Sequence, residues 1–133
     1  NQMFAESYAL TKTPMHVYVR AVEDCTIQFL DVQALEKSPK LKDQMIQILS
    51  NKNKMLSQHI FHISNKSIRN KVLSYLSFMK LEKQSSTFKI PFDRQQMADY
   101  LNVERSALSK ELSKMKSEGL IDYHKNTFTV YSI

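Results

Sequence analysis

Glycine and proline are scarce in this sequence, and their positions constrain the fold more than any other feature. A single glycine, Gly119, occurs among 133 residues, and proline stands only at positions 14, 39 and 91. Because these two residues interrupt regular structure, long stretches without them favour uninterrupted helices. We therefore predict a mainly α-helical chain with a small β component, divided into residues 1–35, 36–63 and 64–133. Its 42% of hydrophobic residues can build one or two small cores but no large catalytic domain.

The N-terminal piece is predicted to contain a β-hairpin. β-branched and aromatic residues dominate segments 17–22 and 26–30, and Glu23-Asp24 between them suits a turn. We interpret the two segments as the last strands of a β domain. Since the chain begins at Asn1 rather than methionine, we expect it to be part of a longer protein.

A long helix is predicted to follow. Ser38 can cap it, and Pro39 suits its first position. Six residues then recur at alternating steps of four and three, the spacing of a coiled-coil seam: Leu41, Met45, Ile48, Lys52, Met55 and His59. A second apolar stripe lies beside it, at Leu49, Leu56, Ile60 and Ile63. The pattern predicts a homodimer joined through residues 41–59, although one broad face packed on the chain's own core gives the same spacing.

Cysteine and histidine give little support for a metal or cofactor site. Cys25 is the only cysteine, which excludes an intrachain disulfide and fits a reducing cytoplasm. His59 and His62 are one helical turn apart, but no cysteine or acidic residue lies nearby in sequence to complete a metal site. We predict a solvated or interface histidine pair, no metal, no cofactor and a cytoplasmic protein. No apolar run approaches the roughly 18–20 residues that span a membrane.

The stretch from Asp93 to the C-terminus carries the most informative pattern. Asp93 and Gln96 have the spacing of a capping box at the start of a helix, and Asn102 suits the left-handed turn that ends it. A second helix is predicted from about Arg105 to Glu118. Two helices joined by so short a turn make a helix-turn-helix. Two alternating segments, 121–123 and 127–131, then predict a hairpin with His124-Lys125-Asn126 at its tip.

Charge indicates what this helix-turn-helix binds. Residues 64–133 carry twelve Lys and Arg against seven Asp and Glu, whereas residues 1–63 carry seven against six. A basic region favours a polyanion partner, because neutralising phosphates releases counterions. The second helix can enter the major groove of duplex DNA, and a basic hairpin tip can contact phosphates beside it. A winged helix that binds only protein has a similar pattern, and this alternative stays open.

Residues 93–112 resemble the DNA-binding domain of the Crp/Fnr family of bacterial transcription regulators. The similarity also includes Ser117-Glu118-Gly119-Leu120-Ile121, Ile68-Arg69, Val72-Leu73, Val19-Arg20-Ala21 and Phe4-Ala5-Glu6, which is similar to a Phe-Gly-Glu motif. The resemblance implies the C-terminal part of a cupin-like effector-binding β-roll, a dimerisation helix and a C-terminal winged helix-turn-helix. It implies RNA polymerase as a further candidate partner.

The resemblance also implies which side chains contact DNA. By position, the residues that read bases on the second helix are Arg105, Ser106 and Lys110, with Ser109 beside them. Those at or near backbone-contact positions are Arg94, Gln95, His124 and Lys125. Three positions depart from the family: Glu104 replaces the usual Ser or Thr cap, Ser106 replaces a Glu, and Lys110 replaces an Arg. We therefore expect a half-site other than the family's best-known one.

The effector position departs further from the family. Met15-His16 stand where cyclic-nucleotide-binding members have Arg-Ser, and Met15 cannot neutralise a cyclic phosphate. Cluster-sensing members need several cysteines, and the visible chain has one. We expect an unidentified effector other than a cyclic nucleotide. No nucleophile, base and orienting residue cluster in sequence, and no glycine-rich loop exists, so we predict that the chain is not an enzyme.

Overall fold

The structure of the protein is a computed structural model that describes residues 3–131, apart from the side chain of Glu36. The outermost residues of the predicted pieces 1–35 and 64–133, namely 1, 2, 132 and 133, lie outside the described residues. The chain divides into two compact units, Asn1–Asn51 and Lys52–Ile133. Each unit has its own secondary structure and its own buried residues.

The first unit contains two short helices and the start of a long one. Helix α1 spans Glu6–Thr11 and helix α2 spans Val32–Lys37. Ala5, at the N-cap of α1, has a φ of 63°, a left-handed conformation that favours glycine. This is the position at which the resembling motif has glycine. Asp31 caps α2 by accepting a hydrogen bond from the backbone N–H of Gln33 at 2.9 Å.

The hairpin predicted over residues 17–30 is absent from this unit. No residue of this segment is in a strand, and Tyr18, Val22 and Phe29 are 103%, 92% and 92% exposed. A two-stranded hairpin is marginal in water unless a further strand or a core packs against it. The described part of the unit offers neither, so the prediction of these strands is wrong for this structure. The assignment of residues 1–35 to a β-roll stays a prediction.

The long helix forms as predicted. Helix α3 spans Pro39–Ile63, and its first turn is capped by Ser38, whose Oγ accepts from the N–H of Leu41 at 3.4 Å. Proline at the first helical position costs no hydrogen bond, because that N–H has no partner within a helix. The boundary between the two units falls within α3, and residues 52–63 belong to the second unit.

The second unit combines three more helices with a small sheet. Their bounds are α4 Ile68–Lys83, β1 Thr87–Lys89, α5 Arg94–Leu101, α6 Arg105–Ser117, β2 Ile121–His124 and β3 Thr127–Val130. The strands are antiparallel in the order β1-β3-β2, and Phe128 of β3 pairs with Phe88 of β1 and Tyr123 of β2. The predictions of a mainly helical chain, a small sheet and a C-terminal winged helix-turn-helix are confirmed.

One hydrophobic core lies between these helices and the sheet. Its buried members are Val72, Tyr75, Leu76, Met79, Phe88, Ile90, Met97, Ala98, Leu101, Leu108, Leu112, Met115, Ile121, Phe128 and Val130. The apolar residues of α6 that face inward, Leu108, Leu112 and Met115, are completely buried. The core holds α6 by one face, and the other face lies at the surface.

Hydrogen bonds at both ends of α5 fix this helix and the turn that joins it to α6. Asp93 accepts from the N–H of Gln96 at 2.8 Å, and the side chain of Gln96 accepts from the N–H of Asp93 at 2.9 Å, which confirms the predicted capping box. Asn102 ends α5 with a φ of 50°, as predicted. Lys71 of α4 donates to the carbonyl oxygens of Leu101 and Asn102, both at 3.1 Å. These contacts set where α6 begins.

Candidate nucleic-acid interface

Helix α6 is anchored so that its polar face is presented to solvent. Arg69 of α4 donates to Glu111 at 2.6 Å and to both carboxylate oxygens of Glu118 at 2.7 and 2.9 Å. The guanidinium holds the pKa of Glu118 below its usual value. A planar fork that engages two carboxylates restrains rotation of α6 as well as its position. Of the predicted base-contacting residues, Arg105, Ser106 and Lys110 are exposed and Ser109 is half-buried.

The start of α6 carries a fixed negative charge. Glu104 caps the helix by accepting from the N–H of Ala107 at 2.8 Å, and the hydroxyl of Ser106 donates to the same oxygen, Oε2. The bond from Ser106 and the backbone hydrogen bonds lower the pKa of Glu104 to about 2, and Lys110 contributes through its charge. The carboxylate is therefore ionised at neutral pH, within a group of basic residues.

Arg94 connects α5 to the hairpin. Its guanidinium carbon lies 5.0 Å from the centre of the Tyr123 ring and 5.8 Å from that of Phe128, within the range of cation–π contacts. Burial lowers the pKa of Arg94, Tyr123 opposes this change, and the nearby charge of Arg105 adds to it. An arginine keeps its charge in proteins despite such shifts. The structure thus brings Arg94, Arg105 and the hairpin together.

Tyr123 is the member of this surface that sequence reasoning missed. Besides Arg94, Nζ of Lys116 lies 5.4 Å from its ring centre, and its hydroxyl is 3.4 Å from Oγ of Ser113. Lys116 also pairs with Asp122 at 2.5 Å. The available signal was its place two residues after the buried Ile121, because alternate residues of a strand share a face. Tyr123 therefore joins the hairpin to α5 and α6.

The remaining predicted contact residues lie further along the surface. His124 and Lys125 are exposed at the hairpin tip, and among the described residues their side chains have no hydrogen bond or ion pair. Lys125 has a φ of 55°, a conformation that lysine rarely adopts. The carbonyl oxygen of Asn126 accepts from the N–H of Ile90 at 2.9 Å, which ties the tip to the segment after β1. Gln95 lies exposed on α5, where its amide donates to Asp99 at 2.8 Å.

The histidines at the end of α3 contact the helix-turn-helix. The ring of His59 stacks on Tyr100 of α5 at 4.5 Å, and its Nε2 is 2.7 Å from the Tyr100 carbonyl oxygen. His62 is buried, with Nδ1 2.8 Å from Oγ of Ser74 and its ring against Tyr75 and Tyr100. The prediction of a solvated or interface pair is therefore wrong for His62. Burial lowers the pKa of His62, and His59 adds to this through its charge.

An apolar surface remains on the same part of α3. Met55, Leu56, Ile60 and Phe61 are each more than half exposed. They come from the predicted seam and from the stripe beside it, together with Phe61. Exposed side chains of this size on one helix indicate a surface that can bind another apolar surface.

Two helices joined by a short turn, a small three-stranded sheet and an exposed basic helix face define a winged helix-turn-helix protein. Comparison with known proteins extends this description, because residues 70–132 match the family described as Crp-like helix-turn-helix domain. These residues are therefore similar to the DNA-binding domain of Crp/Fnr regulators, which supports the resemblance found in the sequence.

The relatives agree with this assignment. The chain is 28% identical over 99 residues to a probable transcriptional regulator, flp, of Lacticaseibacillus casei, which covers 74% of this chain and 45% of that protein. It is 24% identical over 98 residues to the transcriptional activator FnrL of Cereibacter sphaeroides, which covers 67% of this chain and 40% of that one. The chain thus spans less than half the length of these two curated relatives.

Solved structures share the fold. FixK2 from Bradyrhizobium japonicum matches with a TM-score of 0.60 and 14% identity, over 75% of this chain and 52% of that one. A CRP-family transcriptional regulator from Thermus thermophilus matches with a TM-score of 0.57 and 18% identity, over 77% and 54%. Identity this low establishes the fold alone.

Among the described residues, no helix combines the length and the apolar character needed to cross a bilayer.

Proposed function

We propose that this chain binds duplex DNA in a sequence-specific manner, as part of a homodimeric transcription regulator. The observation that carries the proposal is the convergence of Arg94, Arg105 and the hairpin at the exposed start of α6. There α5 and α6 each present an arginine and the hairpin places Tyr123 against Arg94, while the opposite face of α6 is held in the core. Such a surface suits a duplex, because α6 fits a major groove and the hairpin can lie beside it.

The proposed contacts divide between bases and backbone. Arg105 lies in the first turn of α6, and its planar fork matches guanine O6 and N7. Lys110 is about 7.5 Å further along the helix axis, so it serves a different base pair or a phosphate, with Ser106 and Ser109 between the two. The proposed backbone contacts are Arg94, Gln95, His124 and Lys125. Phosphate contacts supply affinity without sequence preference.

The proposed dimer uses α3. The exposed Met55 and Leu56 support pairing within the predicted range 41–59, and the exposed Ile60 directly follows it. Burial of such residues between copies removes apolar area from water. A twofold dimer requires a palindromic operator with half-sites about one helical turn of DNA apart. RNA polymerase remains a further proposed partner.

The remaining properties are proposed from the similarity to Crp/Fnr regulators. The relatives are transcription regulators, which supports a non-catalytic protein that works on DNA in the cytoplasm. The proposed effector is not a cyclic nucleotide, because Met15 replaces the arginine that pairs with the cyclic phosphate. Calorimetry with cyclic AMP and cyclic GMP on the full-length protein is expected to give no heat of binding at sub-millimolar nucleotide.

Selection of bound sequences from a random duplex library tests the proposed function. We expect one enriched palindromic sequence, and binding to it that weakens steeply as salt concentration rises, because each phosphate contact releases counterions. A winged helix used only for protein contact enriches no sequence and shows no such dependence. That outcome would refute DNA binding and favour the adaptor alternative.

Sedimentation tests the dimer separately. Met55→Glu places a charge in the exposed apolar surface and is expected to shift the chain from dimer to monomer at micromolar concentration. Lys54→Glu is the control, since it adds a negative charge to an exposed position of the same helix without removing an apolar side chain. A wild-type chain that sediments as a monomer, or a Met55→Glu variant that remains dimeric, contradicts the proposal.

A further inference from the structure

Glu104 is an acidic residue at the exposed N-terminal end of a basic helix. It directly precedes Arg105, and the charge of Lys110 acts on its carboxylate. A carboxylate in this place repels phosphates, so its presence weakens binding to DNA in general. A helix cap alone does not require the charge, since serine, threonine or asparagine caps a helix equally well. The charge therefore needs a further explanation.

Hydrogen bonds to one oxygen of the Glu104 carboxylate fix the orientation of the whole group. Oε2 accepts both the N–H of Ala107 and the hydroxyl of Ser106. These two bonds hold the carboxylate in one orientation, whereas an exposed glutamate ordinarily samples several rotamers. Oε1 takes part in neither of these two bonds, and a carboxylate oxygen can accept a hydrogen bond from a ligand.

The same contact changes what Ser106 can do. A serine hydroxyl has one proton, and here that proton is donated to Glu104. The oxygen of Ser106 therefore offers only lone pairs to a ligand. Glu104 and Ser106 together present two hydrogen-bond acceptors beside Arg105, whose guanidinium presents only donors.

We propose that Glu104 and Ser106 form an acceptor pair that recognises the N4 amino group of a cytosine in the major groove, beside the base read by Arg105. The proposal rests on the DNA binding proposed above and adds a specificity-determining residue to it. Guanine and thymine present acceptors in the major groove, and adenine presents N7 beside its amino group. In a base pair, cytosine directs one N4 proton into the major groove and, unlike adenine, carries no ring acceptor there, so it can donate to this pair of acceptors.

The charge also selects against other sequences. Where no amino group meets Glu104, its carboxylate loses water without gaining a partner and faces acceptor atoms or phosphates. The cost applies to every non-matching duplex. Because the pKa of Glu104 is about 2, protonation does not relieve this cost near neutral pH. The pair thus raises selectivity by lowering affinity for most DNA.

Library selection with wild type and two variants tests the inference. Glu104→Ser keeps a residue that caps the helix but removes the charge and shortens the side chain. Glu104→Asp keeps both the cap and the charge and only shortens the side chain. The wild type is expected to enrich one cytosine position next to a guanine. Both variants are expected to lose that cytosine preference by about tenfold. Affinity for scrambled duplex is expected to rise about threefold for Glu104→Ser and to stay unchanged for Glu104→Asp.

Glu82→Ser is the matched control, since Glu82 is an exposed carboxylate at the end of α4. It is expected to change neither the consensus nor the scrambled affinity. Thermal unfolding checks that each variant remains folded. If Glu104→Ser selects the wild-type consensus at every position, Glu104 is a helix cap only and the inference is overturned. If the wild type enriches no sequence at all, DNA binding itself fails, which is a different result.

Discussion

The two units of this chain contain similar apolar residues and use them very differently. In Lys52–Ile133, Leu76, Leu112 and Phe128 are completely buried in one core. In Asn1–Asn51, Tyr18, Val22 and Phe29 are almost fully exposed. The difference lies in what surrounds each residue, because three helices and a sheet converge in the second unit. Apolar composition alone therefore does not make a core, and β-forming residues do not form strands without a surface to pack on.

Local signals, by contrast, work equally well in both units. Asp31 caps α2 and Asp93 caps α5, with hydrogen bonds of 2.9 and 2.8 Å to a backbone N–H. The two caps have the same chemistry, but α5 is packed into a core and α2 is a six-residue helix. The comparison predicts that equal local interactions contribute unequally to stability.

Truncation of a core residue is expected to give the largest effect. Leu112→Ala should lower the free energy of unfolding by about 2–5 kcal/mol, because it removes buried methyl groups and leaves a cavity. Phe29→Ala, which removes a larger but exposed side chain, should change it by less than about 0.5 kcal/mol. Urea unfolding followed by circular dichroism measures both. Equal losses would show that residues 17–30 are packed after all.

Removal of the two caps is expected to have a smaller and unequal effect. Asp93→Ala should cost about 1 kcal/mol of unfolding free energy, since it breaks both bonds of the capping box. Asp31→Ala should leave the same urea transition unchanged, because α2 lies outside the core that unfolds. A shift of similar size in both variants would mean that the two units unfold together.

The smallest expected effect concerns pH. The folded pKa of His62 lies below its ordinary value of 6.5, so the unfolded chain binds a proton that the folded chain excludes. The contribution of His62 to the free energy of unfolding is complete at pH values above its ordinary pKa. This contribution is lost as pH falls through the lower, folded pKa. Unfolding free energy should therefore decrease between roughly pH 7.5 and pH 5. The unfolding free energy of the His62→Gln variant should decrease less over this range. His16→Gln, at an exposed position, should show the same decrease as wild type. Identical pH dependence in all three would contradict this role.

Sequence reasoning succeeded where short-range chemistry decides the structure. The caps at Ser38 and Asp93 and the turn at Asn102 each depend on residues within a few positions, and all three were predicted. It failed for residues 17–30, because strand formation depends on partners distant in sequence. The burial of His62 and the contact of Arg94 with Tyr123 were missed for the same reason. The bonds from Arg69 to Glu111 and Glu118 join residues 42 and 49 positions apart, beyond any local pattern.

Within the binding surface the same contrast appears between α6 and the hairpin tip. Arg105 stands on a helix held by the core, whereas Lys125 stands on a two-residue turn with a φ of 55°. We expect the first to read a base and the second to contact only phosphate. Lys125→Asn is the suitable variant, since asparagine tolerates a positive φ and the loss of charge is not confused with strain.

Binding isotherms on the selected duplex and on a scrambled duplex, at several salt concentrations, test the central claim most directly. Arg105→Ala is predicted to lose about 1–3 kcal/mol on the selected duplex and far less on the scrambled one. Lys125→Asn is predicted to weaken both duplexes alike and to lower the salt slope by about one unit. Equal losses on both duplexes for Arg105→Ala would contradict sequence reading by α6.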